Sequence, residues 1–443
     1  MTMIKIEDYA FPAGLHLLTR WQTGEDVAKQ EMKDVFDAAI TGEFDENFAV
    51  LASPNRVNST ASVHMLALAL IYDLYGVESW DFYHTNPYRY VRANLVVSRL
   101  LGVSKFYITW ALYAFTCEPL GQKMMYPDRF PPGADPEEAL INRDNWHLLE
   151  TPDFTTGVPK TIDNILSAYE ELTGMPPLIN ISAPYSLAAD IYGQEPLLSD
   201  VLNEPDNVNA LLDHLGDKIL GPWMDHHFET FPNGWLELSD ASGSPFFIGP
   251  ENCKEMSIRS IQHMLRDKPY ADHVFDNNYR GDFVAEVKKK VRSSRRKPAV
   301  TPSVDQGNLL DLTEAKVSVN PVFIMRLEAD KVNIAFYEEQ AIQRNLPLTS
   351  GIGSPQIDRN SIEDLDTTKA EIAEEARSFV EAIKHVCETI DLPADNHVGS
   401  PWPSHIYFED VNGESQFELV EVILEEVYKC PPIKRLGNQD SQG

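Results

Sequence analysis

With 443 residues the chain can hold one large domain or two or three small ones, and its 43% of hydrophobic residues is ordinary for a packed protein. A formal net charge of −31 repels phosphate backbones, which disfavours nucleic acid and anionic lipid as partners. No apolar run reaches the ~18–20 residues that span a bilayer, the start carries no basic-then-apolar leader, and the four cysteines form no CxxC pair, so no membrane and a reducing cytoplasm are expected.

Residues 1–95 read as a helical N-terminal extension. Glu25 to Ile40 places Val27, Met32, Val35, Phe36 and Ala39 near a 3.6-residue period. Asn58-Ser59-Thr60 precedes an apolar helix, Val63 to Tyr75, stopped by Gly76. An aromatic turn around Pro87 leads into a helix from Val91 to Leu101, with Gly102 as its stop. Lys105 to Trp110 alternates and is rich in β-formers, so it is taken as the first strand. A long loop rich in Pro and acid occupies 127–160. The second strand is Leu178–Ile181, followed by a tight loop and a helix that opens on Leu187-Ala188-Ala189 and stops at Gly193. Trp235–Leu238 is the third strand and Ala271–Phe275 the fourth. The basic run Lys288 to Lys297 reads as a solvated helix end, with an anion site as its alternative. Beyond 298 the candidate strands are Val317–Val319, Val322–Leu327, Val332–Phe336, Leu346–Thr349 and Ile406–Phe408. Helices are clearer at Thr367–Ile383 and Ser415–Tyr428, and 431–443 is expected to be a disordered tail.

Several blocks recur in a recognisable order. After the second strand come Pro184-Tyr185-Ser186-Leu187-Ala188, then Gly193-x-Glu195-x-Leu197-Leu198, then Glu204-Pro205-Asp206-x-Val208. Upstream stand Leu101-Gly102-Val103, Trp110, Cys117-Glu118-Pro119-Leu120-Gly121 and Pro127 to Pro132. Over roughly residues 95–265 this resembles the uroporphyrinogen decarboxylase superfamily, which includes the heme-pathway decarboxylase and corrinoid-linked methyltransferases of coenzyme M type. The resemblance implies a (β/α)8 TIM barrel over 96–430, with reacting groups at the C-terminal ends of its strands.

Polar residues just after the candidate strands are therefore the site candidates. Asp240, His273 and Tyr185 are assigned to catalysis: the carboxylate and imidazole can exchange protons, and the phenol can hydrogen-bond a substrate carboxylate. Structural roles compete with each: Ser-Asp-x-Ser is also an ordinary turn and helix cap. Arg280, Asn277, Tyr279, Arg89, Trp110 and His405 are assigned to substrate binding, with Arg280 suited to fork onto a carboxylate. Glu118 is a candidate supporting acid. The thiol-activating branch of the family holds zinc with a His-x-Cys-Gly stretch and a second Cys. Here Phe275 stands at the first Cys position and Cys387 falls in a helix, so no metal site is assigned.

The function expected from these readings is a metal-free lyase of decarboxylase type acting on a small carboxylated substrate, with no cofactor. One alternative is a methyl- or alkyltransferase of the same superfamily, using zinc or a corrinoid and docking a corrinoid protein. The other is a ligand-binding barrel without chemistry. A homodimer is compatible with all three.

Overall fold

The computed structural model describes residues 6–41, 52–110, 112–277, 284–286, 301–303, 306–327, 333–391 and 399–434. Tyr279, Arg280, the basic run at 288–297 and the tail from 435 lie outside the described residues.

Seven strands carry the fold: β1 (Ser59–Ala61), β2 (Leu178–Ser182), β3 (Trp235–Ser239), β4 (Val274–Asp276), β5 (Ile324–Arg326), β6 (Leu348–Ile352) and β7 (Ile406–Phe408). All pair in parallel, in a four-stranded arc ordered β1-β7-β6-β5 and a three-stranded arc ordered β2-β3-β4. Helices cover the outside: α1 (Ala13–Gln22), α2 (Asp26–Thr41), α3 (His64–Tyr75), α4 (Ser79–His84), α5 (Pro87–Leu101), α6 (Gly157–Thr173), α7 (Pro184–Tyr192), α8 (Ile334–Arg344), α9 (Leu365–Thr389) and α10 (Phe417–Lys429). Strands clad this way are buried on both faces, as β2 and β6 are throughout, and such strands read as near-continuous apolar runs.

The expected closed (β/α)8 barrel is corrected to a mixed α/β fold, compatible with a TIM-barrel-like arrangement, whose sheet does not close among the described residues. Side chains take ladder bonds at both breaks. Between β1 and β2 runs the extended segment 105–110, the expected first strand. The N–H groups of Ser104 and Lys105 share the carbonyl of Ser59, at 3.1 and 3.0 Å, while the phenol of Tyr90 donates to the carbonyl of Thr109. On the far side, the N–H of Ser182 donates to Thr116 Oγ1 at 3.0 Å. Between β4 and β5, the N–H of Asp276 reaches Val319 O at 2.9 Å, and Asn320 Oδ1 accepts the N–H groups of Val322 and Phe323.

Three further readings are corrected. Ser59–Ala61 lies inside the stretch assigned to a helical extension, yet it is a strand of the four-stranded arc. The candidate strand at 332–336 overlaps a helix: Asn333 Oδ1 accepts the N–H of Ala335 at 2.9 Å and caps α8. At the expected fourth strand, Ala271–His273 is a single 3₁₀ turn and the strand begins at Val274.

Alternate residues point inward. Tyr107, Leu178, Phe275, Phe323, Met325, Leu327 and Trp402 form an inner core distinct from the larger one between strands and helices, with Trp235 and Tyr407 packed against it.

Candidate functional site

The two ends of the strands differ in chemistry. At the N-terminal end, Lys105 is buried and donates from Nζ to Ser400 Oγ at 2.7 Å and to Trp402 O at 2.8 Å. Burial holds its ammonium well below the usual lysine range. His273 lies here too: its ring stacks on Trp235 at 4.5 Å, and Nδ1 meets Gly234 O at 3.1 Å. His405, immediately before β7, accepts the N–H of Asn58 on Nδ1 at 3.0 Å, and its Nε2 is 3.4 Å from Cys387 Sγ. Neither histidine reaches the C-terminal end, because each precedes its strand instead of following it.

Of the other assigned residues, two more fall outside the interior. Trp110 is on the outer side of its segment, packed against Tyr90 at 4.9 Å and Phe115 at 4.7 Å. Arg89, in the first turn of α5, donates to Asp81 O at 2.9 Å and Thr85 Oγ1 at 2.8 Å. Tyr185, Asp240 and Asn277 are brought together. Asp240 is fully buried and accepts from Ser186 Oγ at 3.1 Å and from Ser257 Oγ, and its N–H reaches Asn277 Oδ1 at 3.4 Å. Tyr185 is buried in α7, and its phenol is pushed upward by burial and then by the charge of Asp240. The carboxylate of Asp240 is thus enclosed by hydroxyls that tie the loop after β3 to α7.

The interior itself is organised around a residue that the sequence reading passed over. Glu237, 2% exposed in the middle of β3, accepts from the phenol of Tyr107, from Asn180 Nδ2 at 2.6 Å and from Asn277 Nδ2. Burial raises its carboxyl to about 7; the donors Tyr107, Asn277 and Asn180 oppose that shift, and the nearby charge of Asp410 adds to it. A carboxyl balanced near neutrality can give or take a proton. Toward the mouth, the ring of Tyr407 meets that of Tyr107 edge-on at 5.6 Å. Its phenol is driven well above the usual range by burial and by Asp410, Glu409 and Glu237. Ser62, after β1, touches Thr109 Oγ1 at 3.0 Å and donates to Asp410 Oδ1 at 3.3 Å. Glu409, Asp410 and Asn277 are only partly buried, so this polar column runs from the centre of the fold to its surface. The missed signal is in Trp235-Leu-Glu-Leu-Ser239: an acid inside a buried strand is costly unless hydrogen-bonded, and perturbed carboxyls gather at functional sites.

No family model and no curated protein sequence matches the chain. Among solved structures, a methyltransferase from Methanosarcina mazei superposes with a TM-score of 0.56, covering 90% of this chain and 98% of its own, at 14% identity. The two share a fold. At that identity the likeness speaks for architecture and leaves the chemistry to the residues. The His-and-two-Cys zinc set expected in the thiol-activating branch does not fit here. Phe275 fills the inner core, and Cys387 contacts His405 at the opposite end. Among the described residues, no group of three or more His, Cys, Asp or Glu side chains is arranged to hold a metal ion.

Proposed function

We propose that the chain is a methyl- or alkyl-transferring enzyme in which Glu237 manages the acceptor's proton. The observation that carries this reading is the buried, hydrogen-bonded Glu237 with its carboxyl near 7, at the centre of a fold it shares with a methyltransferase. When an acceptor X–H takes a methyl group, the X–C bond forms as the donor–C bond breaks, and the electron pair stays with the donor. The X–H proton must leave, and ionised Glu237 receives it. Tyr107, Asn180 and Asn277 hold the carboxylate in place and stabilise its charge before transfer. A corrinoid protein as donor is what the sequence resemblance adds.

The lyase reading loses its acid–base pair. Asp240 and His273 lie at opposite ends of the strands. Glu237, Glu409 and Asp410 act together on Tyr407, an unfavourable field for a carboxylated substrate.

The test is direct. The protein is incubated with methylcobalamin and a panel of thiol, amine and phenol acceptors, and methylated products are read by mass spectrometry. Transfer that falls about 10²–10⁴-fold in Glu237→Gln supports the proposal. No transfer to any acceptor, or equal transfer by the variant, would sink it.

A further inference from the structure

Inward and outward residues alternate along the strands around Glu237, and the two cores sort them. Ile179, Ile181, Leu236 and Leu238 belong to the outer core, whereas Leu178 and Phe275 belong to the inner one. Asn180 and Glu237 therefore face inward, as their hydrogen bond requires, and so does Ser182. Strand register stacks these inward positions in tiers. In the lowest, Leu178 pairs with Trp235, on which Trp402 packs at 4.2 Å. In the middle one Glu237 stands between Asn180 and Phe275. In the upper one Ser182 pairs with Ser239, and Asn277, just past β4, continues the row. That tier lies roughly 7 Å nearer the mouth than Glu237, and this arc furnishes it with short polar side chains.

Several polar atoms at this level are bonded to one another. Thr109 Oγ1 meets Ser62 Oγ at 3.0 Å, and Asn277 bridges the N–H of Asp240 to the carboxylate of Glu237. Ser182 differs. Its backbone is fixed, because its N–H donates to Thr116 Oγ1 at 3.0 Å and the N–H of Ala183 reaches Ser239 O at 2.8 Å. Its hydroxyl is fully buried and has no hydrogen-bond partner among the described residues. Thr349 and Ser404 also carry unpartnered buried hydroxyls, but Thr349 pairs with Met325 of the apolar inner core, and Ser404 precedes β7 at the other end. A buried donor without an acceptor is costly unless a ligand supplies one.

We propose that Ser182 binds the methyl acceptor, and that the acceptor is a hydroxyl compound whose oxygen is held between Ser182 Oγ and Glu237. The inference rests on the proposed role of Glu237 and names the class of acceptor for that site. Ser182 donates to the acceptor's oxygen, and the acceptor's own O–H donates to the Glu237 carboxylate. An oxygen has two lone pairs, so one accepts from Ser182 and the other attacks the methyl carbon. A neutral amine has a single lone pair, which the same hydrogen bond would occupy. A thiol sulfur is a weak acceptor and its S–H a weak donor. In the transfer the O–C bond forms, the donor–C bond breaks with its electron pair left on the donor, and the proton passes to Glu237.

The experiment is a calorimetric titration of the full chain with phenol, thiophenol and aniline, which share a shape and differ at the hydrogen-bonding atom. The wild type should bind phenol most tightly. Ser182→Ala should bind phenol about 3- to 10-fold more weakly and leave thiophenol unchanged. The same variant should keep or raise the thermal midpoint, because it removes a buried hydroxyl that bonds no other group. A purely structural hydroxyl would instead lower that midpoint and leave phenol binding alone. Ser182→Thr retains a hydroxyl and should restore phenol binding. With methylcobalamin as donor, the loss in Ser182→Ala should appear in KM for phenol and leave kcat nearly unchanged. No phenol binding by the wild type, unchanged phenol affinity in Ser182→Ala, or an equal loss for all three probes would overturn the inference. Phenol binding that depends on Ser182 without methyl transfer upholds the contact and removes the transferase reading. Methylation of thiophenol or aniline alone, lost in Glu237→Gln, keeps the transferase reading and overturns the hydroxyl acceptor.

Discussion

Tyr107 and Glu237 meet inside the fold, 130 residues apart in sequence, with the phenol donating to the carboxylate. Neither residue follows a strand. Both lie within extended segments, so the pair is set deeper than the loops that usually carry chemistry in barrel-like folds.

Removing that phenol should weaken the anion it serves. In Tyr107→Phe, Glu237 loses one of its donors, and its carboxyl should rise above about 7. Because Glu237 works in its ionised form, the acidic limb of turnover against pH should move upward with it, and activity at neutral pH should fall about 10-fold. A pH–rate profile checks this, and an unmoved limb would separate Tyr107 from the proton-carrying group.

Glu237 also links stability to pH. Its folded-state value, about 7, lies above the ordinary 4.5, so the folded chain binds a proton that the unfolded chain has released. The associated stability is complete below about 4.5 and is lost as pH rises through 7, amounting to about 3 kcal/mol. Denaturant melts at a series of pH values should show this loss in the wild type and a flatter profile in Glu237→Gln.

Asp240 should behave as an anchor. Asp240→Ala removes the acceptor of the Ser186 and Ser257 hydroxyls and should cost about 2–4 kcal/mol. Gly243→Ala should damage the same joint, because its Cβ would lie 2.4 Å from the Asp240 carboxylate oxygens, at a cost of about 1–3 kcal/mol. Chemical denaturation measures both, and a neutral Asp240→Ala would contradict the anchoring role.

Lys105 gives the opposite pH signature to a paired lysine. Its folded-state value is depressed by burial, so its stabilising contribution is present above the ordinary 10.5 and is lost as pH falls toward the depressed value. Lys105→Met leaves Ser400 Oγ and Trp402 O without their donor, and at pH 10 it should be about 1–3 kcal/mol less stable than the wild type. That deficit should shrink or reverse by neutral pH. Parallel melts at the two pH values decide it.

How much of this was legible depended on whether the cause was local. Leu178–Ile181 and Trp235–Leu238 were readable as strands because buried parallel strands spell apolar runs. Ser59–Ala61 was not, because Asn-Ser-Thr reads as a helix cap and its partner strand lies at the far end of the chain. His273 was placed at the wrong end because its strand begins at Val274 and not Ala271, whereas His405 was assigned to the mouth although its strand, Ile406–Phe408, was expected where it is found; a residue before a strand faces away from the mouth. Asp240 and Asn277 were found by looking just after strands. Glu237, Tyr107 and Asn180 were overlooked because that search excluded strand interiors.

The pairing of β1 with β7 has a consequence for how the chain is made. The N–H of Asn58 and the imidazole of His405 meet across 347 residues. On the ribosome, β1 emerges early and finds Ser104 and Lys105 soon after, on one flank only. Its other flank stays an open edge until residues 406–408 have been synthesised, and open edges recruit stray strands. Contacts of such long sequence separation fold slowly. The strand Ser59–Ala61 therefore waits for Ile406–Phe408 to complete its pairing, and a chain cut short before residue 406 would leave that edge bare.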